Sequence, residues 1–158
     1  MSTTRTNRKP VTMRVAVGGR KKGQGSKWCA KDKRLALYLR DDLKCAFCDC
    51  VVVPGVTATL DHVLACELGG TNDTTNLVTA CISCNSAKRD LSMRKWFAVL
   101  RMNNVNTNRI GSRVRRQTRK DITTMRKHAK SLIKTVGYQS ACTIILDAKL
   151  AKAAKLAA

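Results

Sequence analysis

The sequence predicts an α+β fold stapled by a four-cysteine zinc site, with basic helical and disordered flanks. Three observations lead there. Four cysteines stand in two pairs, Cys45-Ala-Phe-Cys48 and Cys81-Ile-Ser-Cys84, with strand-like runs between the pairs and helix-period segments on either side. Thiolates in CxxC knuckles suit tetrahedral zinc. Between the pairs lies Asp61-His62, and Asn85 directly follows the last cysteine, so oxygen and imidazole groups suited to a harder, magnesium-like ion and a proton acceptor sit inside the same scaffold.

The elements follow in order. Residues 1–27 are rich in Thr, Arg, Lys and Gly and offer little to bury, which predicts a mobile basic arm; Val11, Met13, Val15 and Val17 alternate as a short pairing strand would. Leu35, Tyr38 and Leu39 recur at helical spacing, predicting a helix over residues 31–42 that leads into the first knuckle. Residues 50–53 are mostly β-branched, Pro54-Gly55 signals a turn, and residues 56–60 resume strand-like character, so these two runs are expected to pair as a hairpin. Residues 66–76, with Gly69-Gly70 and a Thr/Asn/Asp cluster, read as a loop, and residues 77–80 as another strand. A short helix is expected over residues 83–88, and Ser92 can cap another whose Met93, Trp96, Phe97 and Leu100 share one face. Asp121 stands at an N-cap, Ile122, Met125, Ala129, Leu132 and Val136 step by three and four, and Gly137 follows as a stop; residues 143–158 form a last helix.

Charge is distributed unevenly along the chain. The net charge of +21 divides into 12 Lys+Arg against 1 acid over residues 1–40, 3 against 7 over residues 41–90, and 16 against 2 over residues 91–158. An acidic centre between basic arms is the pattern of a cation site served by segments that grip phosphates, so the expected partner is a nucleic acid. The first 30 residues lack the continuous apolar core of a signal peptide, and no stretch reaches membrane-spanning length. A cytoplasmic, non-secreted protein is expected, with reduced thiols that favour zinc over disulfides.

Zinc at Cys45, Cys48, Cys81 and Cys84 is expected to be structural, because a chain with six aromatic residues needs such a staple. Cys29, Cys50, Cys66 and Cys142 lack paired spacing, although Cys50 can compete for the ion; His128, among lysines, is expected to be solvated. His62 closes a strand ahead of a polar loop, where an imidazole that titrates near neutrality can take a proton from water. Asp61 and Asn85 offer oxygen ligands to a divalent cation such as Mg2+. Lys88 and Arg89 stand three and four positions beyond Asn85, on its helical face, where they can reach a phosphate. Arg113, Arg115, Arg116, Arg119 and Lys120 are close enough in sequence to add nucleic-acid contacts.

At Cys45-x-x-Cys48, Asp61-His62, Gly69-Gly70, Asn76-Leu77-Val78-Thr79-Ala80-Cys81 and Cys84-Asn85-x-x-Lys88 the chain resembles the HNH endonuclease family, especially its small zinc-containing phage and bacterial members. The resemblance implies a ββα-metal finger, His62 as general base, Asp61 and Asn85 as metal ligands, and Asn76 as the residue that fixes the loop and orients the histidine. It covers roughly residues 31–100 and places a nuclease domain at 31–102, between a basic arm at 1–30 and a basic helical extension at 103–158. Ala65, Cys66 and the Asp49-Cys50 pair depart from the usual pattern. The function expected is metal-dependent hydrolysis of DNA phosphodiester bonds, leaving 5′-phosphate and 3′-hydroxyl ends. Two alternatives stay open: a non-catalytic zinc-stabilised DNA-binding or phage packaging accessory protein, and a basic zinc protein that binds RNA.

Overall fold

The first helix, α1 (Lys31–Arg40), buries Leu35, Ala36, Leu37 and Tyr38. These belong to the computed structural model of the chain, which describes residues 28–157; the arm expected over residues 1–27 lies outside the described residues. Asp42 and Leu43 take positive φ values of 58° and 52° and turn the chain out of α1 into the first cysteine knuckle.

Strand β1 (Ala58–His62) pairs antiparallel with β2 (Leu77–Cys81), Asp61 opposite Val78 and His62 opposite Leu77. This corrects the hairpin expected between residues 50–53 and 56–60. Val51 makes only an isolated bridge to Lys44, because the knuckle folds on itself through Cys45 N–H to Cys50 O (2.9 Å) and Val52 N–H to Leu43 O (2.8 Å). Those bonds occupy the backbone that a hairpin would have used, and β1 finds its partner in β2, which begins 15 residues after β1 ends.

The period-2 alternation of the strands sets their faces against two cores. Leu60 and Leu77 pack with Leu35, Leu37, Tyr38, Ile122, Ala129, Cys142 and Ile145. Val78 and Ala80 pack with Phe47, Val52, Trp96, Ile110 and Val114, where the Phe47 and Trp96 rings meet edge-on at 5.9 Å. The outer edge of β2 is finished by the Ala46 N–H, which donates to Thr79 O at 2.8 Å, and by side chains rather than by a third strand. The buried pair Arg40–Asp41 (Nε to Oδ1, 2.6 Å) sends Arg40 NH2 to Leu77 O at 2.6 Å and accepts Thr79 N–H on Asp41 Oδ2 at 2.8 Å. Polar edge groups that water cannot reach are thus satisfied by an ion pair that is itself fully hydrogen-bonded.

After β2 come α2 (Ile82–Lys88), α3 (Met93–Met102), α4 (Thr107–Arg119) and α5 (Thr123–Ala157). Ser92 Oγ caps α3 by accepting Lys95 N–H, and Trp96 is its buried residue. Helix α4 lies within the basic helical extension expected over residues 103–158, in which the sequence marks no separate helix at this place. Its Asn106 cap and the buried Ile110, Gly111, Val114 and Gln117 form a narrow apolar stripe inside a heavily basic segment, and the charges mask that stripe in the pattern. Asp121 Oδ1 accepts Thr123 N–H at the start of α5. Gly137 (φ 79°, ψ 165°) breaks α5 as expected of a stop residue, but helix resumes directly after it rather than at residue 143. The long element returns to α1 through Arg126–Asp32 (2.7 Å) and Lys149–Asp42. His128 is exposed. No helix among the described residues is long and apolar enough to cross a membrane.

Candidate active site

The two knuckles meet. The Sγ atoms of Cys45, Cys48, Cys81 and Cys84 all lie within 4.8 Å of one another, and Cys48 and Cys81 are 3.8 Å apart. Four sulfurs about 2.3 Å from a tetrahedral zinc would be separated by just under 4 Å, so the cluster fits that ion. Backbone N–H groups of Phe47 and Cys84 point at Cys45 Sγ and Cys81 Sγ, each at 3.4 Å, the polarity that favours thiolates. Hydrogen bonds with the Cys45 and Cys84 thiols lower the pKa of the Cys48 thiol well below its ordinary value. Cys50 Sγ lies 3.3 Å from Cys48 Sγ, outside the four. Arg113 reaches from α4 to brace the first knuckle, with NH1 donating to Ala46 O at 3.0 Å and NH2 3.4 Å from Asp49 Oδ1.

On the other side of α2 a cavity of about 360 Å3 collects Asp61, His62, Asn85, Lys88 and Arg89 together with Cys66 and Trp28. Neighbours in a regular strand face opposite ways. Asp61 and His62 nevertheless line one cavity, because His62 is the last residue of β1 and the loop after it turns back. The return is tight: a Cβ on Gly70 would sit 1.7 Å from Leu64 O, so only glycine fits. Asn76 holds the loop closed, its Nδ2 donating to Leu64 O (3.0 Å) and Thr71 O (2.8 Å) while its Oδ1 accepts Leu64 N–H (2.8 Å).

His62 is gripped on several sides. Asn72 Oδ1 is 2.8 Å from Nε2, Cys66 Sγ is 3.3 Å from the same nitrogen, and the Trp28 ring stands 5.1 Å away at 34°. Thus the amide that touches the histidine is Asn72, which the sequence reading did not single out; Asn76 acts on the loop between them. The only available signal was the polar cluster of residues 71–76, which does not say which amide turns inward. Lys33 Nζ donates to Asn72 O and ties this residue to α1.

Asp61 is 5% exposed, and its carboxylate is paired with Lys88: Nζ lies 2.9 Å from Oδ2 and 3.1 Å from Oδ1, and also donates to His62 O at 2.8 Å. Lys88 was expected to face a phosphate. Instead its side chain is fully buried, because α2 packs its last turn against β1. Burial pushes the Asp61 carboxyl above its ordinary value, more than the Lys88 ammonium pulls it down. Oδ2 receives no well-directed hydrogen bond although the Lys88 ammonium stands 2.9 Å from it, so a cation at this oxygen would share it with that ammonium. Asn85 donates its Nδ2 to Thr59 Oγ1 (3.1 Å) and Leu60 O (3.3 Å), which leaves Oδ1 as the atom to offer an ion. The donor set of Asp61 and Asn85 therefore fits a hard divalent cation. Of the remaining basic candidates, Arg113, Arg116 and Lys120 line a different cavity, while Arg115 NH2 contacts Ser112 and Arg119 is exposed on α4.

Residues 45–95 match the family described as HNH endonuclease. The chain carries an HNH endonuclease domain there. No curated protein and no solved structure matches the chain. The HNH domain begins at the first cysteine of the four-sulfur cluster, contains both knuckles, β1, β2 and α2, and ends within the first turn of α3. Helices α1, α4 and α5, which complete the two cores, lie outside it.

The buried pair in the HNH domain has a measurable consequence. Lys88→Met leaves a buried carboxylate without its ammonium and is expected to cost about 3–5 kcal/mol in thermal or urea unfolding, whereas Asp61→Asn/Lys88→Met together should recover most of it. Because the folded Asp61 carboxyl is raised, its stabilising effect on the folded state is present in acid and is lost as pH rises through that value. The Lys88→Met loss should therefore be smallest near about pH 4 and grow toward neutrality. Equal loss at both ends of that range would show that Asp61 is not the group responsible.

Proposed function

We propose that the chain is a metal-dependent DNA endonuclease that hydrolyses phosphodiester bonds, with His62 as general base. The observation that carries this reading is the presence of Asp61, His62 and Asn85 on one cavity inside an HNH domain, although residues 61 and 85 are far apart in the chain. In this reading His62 Nε2 donates to Asn72 Oδ1, 2.8 Å away, and Nδ1 accepts the proton from water. Trp28 beside the ring and Asn76 behind the loop restrict the imidazole, so its lone pair is aimed before substrate arrives. Asp61 and Asn85 Oδ1 would hold a divalent cation such as Mg2+, which would supply positive charge for the scissile phosphate and the departing 3′ oxygen. Lys88 favours the ionised form of the Asp61 carboxyl and offsets part of the effect of its burial. Arg89, at the rim of the same cavity, supports the phosphate.

A second reading, a zinc-stabilised DNA-binding accessory protein without turnover, is favoured by one observation: Asp61 is already neutralised by Lys88. Supercoiled plasmid incubated with zinc-loaded protein, with and without added Mg2+, separates the two. The nuclease reading expects Mg2+-dependent nicks bearing 5′-phosphate and 3′-hydroxyl ends. Binding with no cutting under any hard divalent cation selects the accessory protein.

A further inference from the structure

Helix α4 carries Arg109, Arg113 and Arg116, and Lys120 follows at its C-cap, so the four stand at intervals of four, three and four residues. At about 100° per residue these four fall within about 60° of one another around the helix, and at about 1.5 Å per residue they extend over roughly 16 Å. Arg115 and Arg119 lie roughly a quarter to a third of a turn away from the centre of that stripe. Two cavities open along it. One, of about 390 Å3, is lined by Arg109, Ser112, Arg113 and Arg116; the other, of about 500 Å3, by Arg113, Arg116 and Lys120 with Lys44 and Asp49 opposite. Since Arg113 and Arg116 belong to both, the cavities form one trough.

Its electrostatics are one-sided. The carboxylates that line the larger cavity are already engaged: Asp41 by Arg40, Asp42 by Lys149, and Asp49 by Lys44 (3.9 Å) and Arg113 (3.4 Å). Among the described residues, no carboxylate lies within ion-pair distance of Arg109, Arg116 or Lys120. No aromatic side chain lines either cavity, so the trough lacks a platform for stacking bases and offers a row of cations. One strand of B-form duplex rises about 3.4 Å of helix axis per phosphate while winding around it, so a straight row of about 16 Å lies alongside roughly two to three of them.

We infer that the α4 trough is a second contact surface for the substrate, in which Arg109, Arg116 and Lys120 take the phosphates of one backbone strand of duplex DNA while Arg113 registers that strand to the zinc knuckle. The inference rests on the nucleic-acid substrate of the proposed function, not on its catalytic step. Arg113 is the link because the same guanidinium that lines both cavities holds the carbonyl of Ala46, next to Cys45. Contacts of this kind position a duplex without reading its sequence.

The test compares the full-length, zinc-loaded protein with Arg109→Ala/Arg116→Ala/Lys120→Ala and with Arg115→Ala/Arg119→Ala, measuring the affinity for a labelled DNA duplex by anisotropy over a series of NaCl concentrations without added Mg2+. Each lost phosphate contact lowers the slope of log K against log salt by about 0.9, so the triple variant should lose roughly two to three units of slope and the double variant less than one. Arg109→Ala and Lys120→Ala alone, at the two ends of the row and clear of the knuckle, should each lose about 0.9. An unchanged slope in the triple variant, or an equal loss in the double variant, overturns the inference. A duplex RNA bound more tightly than the DNA, with the steeper slope, overturns the assignment to DNA. Because binding is read without cleavage, a protein that never cuts would sink the nuclease reading and leave this result standing on its own.

Discussion

His62→Ala is expected to slow Mg2+-dependent plasmid nicking by about 10²–10⁴-fold, the usual contribution of a positioned general base, while the zinc content and the melting profile stay those of the parent. The imidazole is partly exposed at the end of β1 and faces the cavity rather than either core, so its truncation removes few packing contacts. What it does remove is the only imidazole in a cavity that otherwise offers carboxylate, amide, ammonium, guanidinium and thiol groups. Asp61 cannot replace it, because its carboxylate is engaged by Lys88 and sits deeper, at 5% exposure. Measured nicking rates, with zinc quantified in the same samples, decide the matter. A variant that cuts as fast as the parent would show that another group activates water.

Cys81→Ser is expected to have the second large effect, on folding. Structural zinc in small domains binds with an apparent free energy on the order of 10 kcal/mol or more, comparable to the whole stability of a typical domain. Cys45 lies fully buried beside Ala46, Phe47 and Val52 in the same core as Trp96, so loosening the cluster also opens that core. Loss of bound zinc and of the Trp96 fluorescence and near-ultraviolet signals should accompany the substitution. The core made by α1 and α5 has its own apolar contacts and should keep part of the helical signal. Cys50→Ser is the informative companion: its Sγ is 3.3 Å from Cys48 but outside the four, so it should retain one zinc per chain. If Cys50→Ser lost the ion and Cys81→Ser kept it, the ligand set would have to be redrawn.

Much of the site is legible from short-range pattern because its chemistry is carried by adjacent residues. Cys45 with Cys48 and Cys81 with Cys84 are set by single turns of backbone, and Asp61-His62 by one peptide bond. The α1, α3 and α5 faces are visible for the same reason, since a period of three to four residues reports which side is buried. The expected strand pairing failed at residues 50–53, where knuckle hydrogen bonds compete locally for the backbone that the β-branched run seemed to offer. Helix α4 was hidden because a row of cations dominates a segment whose buried side is only a few residues wide.

The amino-acid order by itself determined the donor types: four thiolates in two knuckles, a carboxylate and an imidazole side by side, an amide one step past the last cysteine, and basic segments on either side of an acidic centre. Only the tertiary structure decided which of these groups meet. It closed the loop on Gly70 so that Asn72 reaches His62, turned the last turn of α2 inward so that Lys88 pairs with Asp61, and aligned four α4 cations along one trough. The physical reason is distance along the chain. Spacing of a few residues is fixed by backbone geometry, whereas contacts across ten to seventy residues are set by burial and by the need to satisfy polar groups that burial cuts off from water.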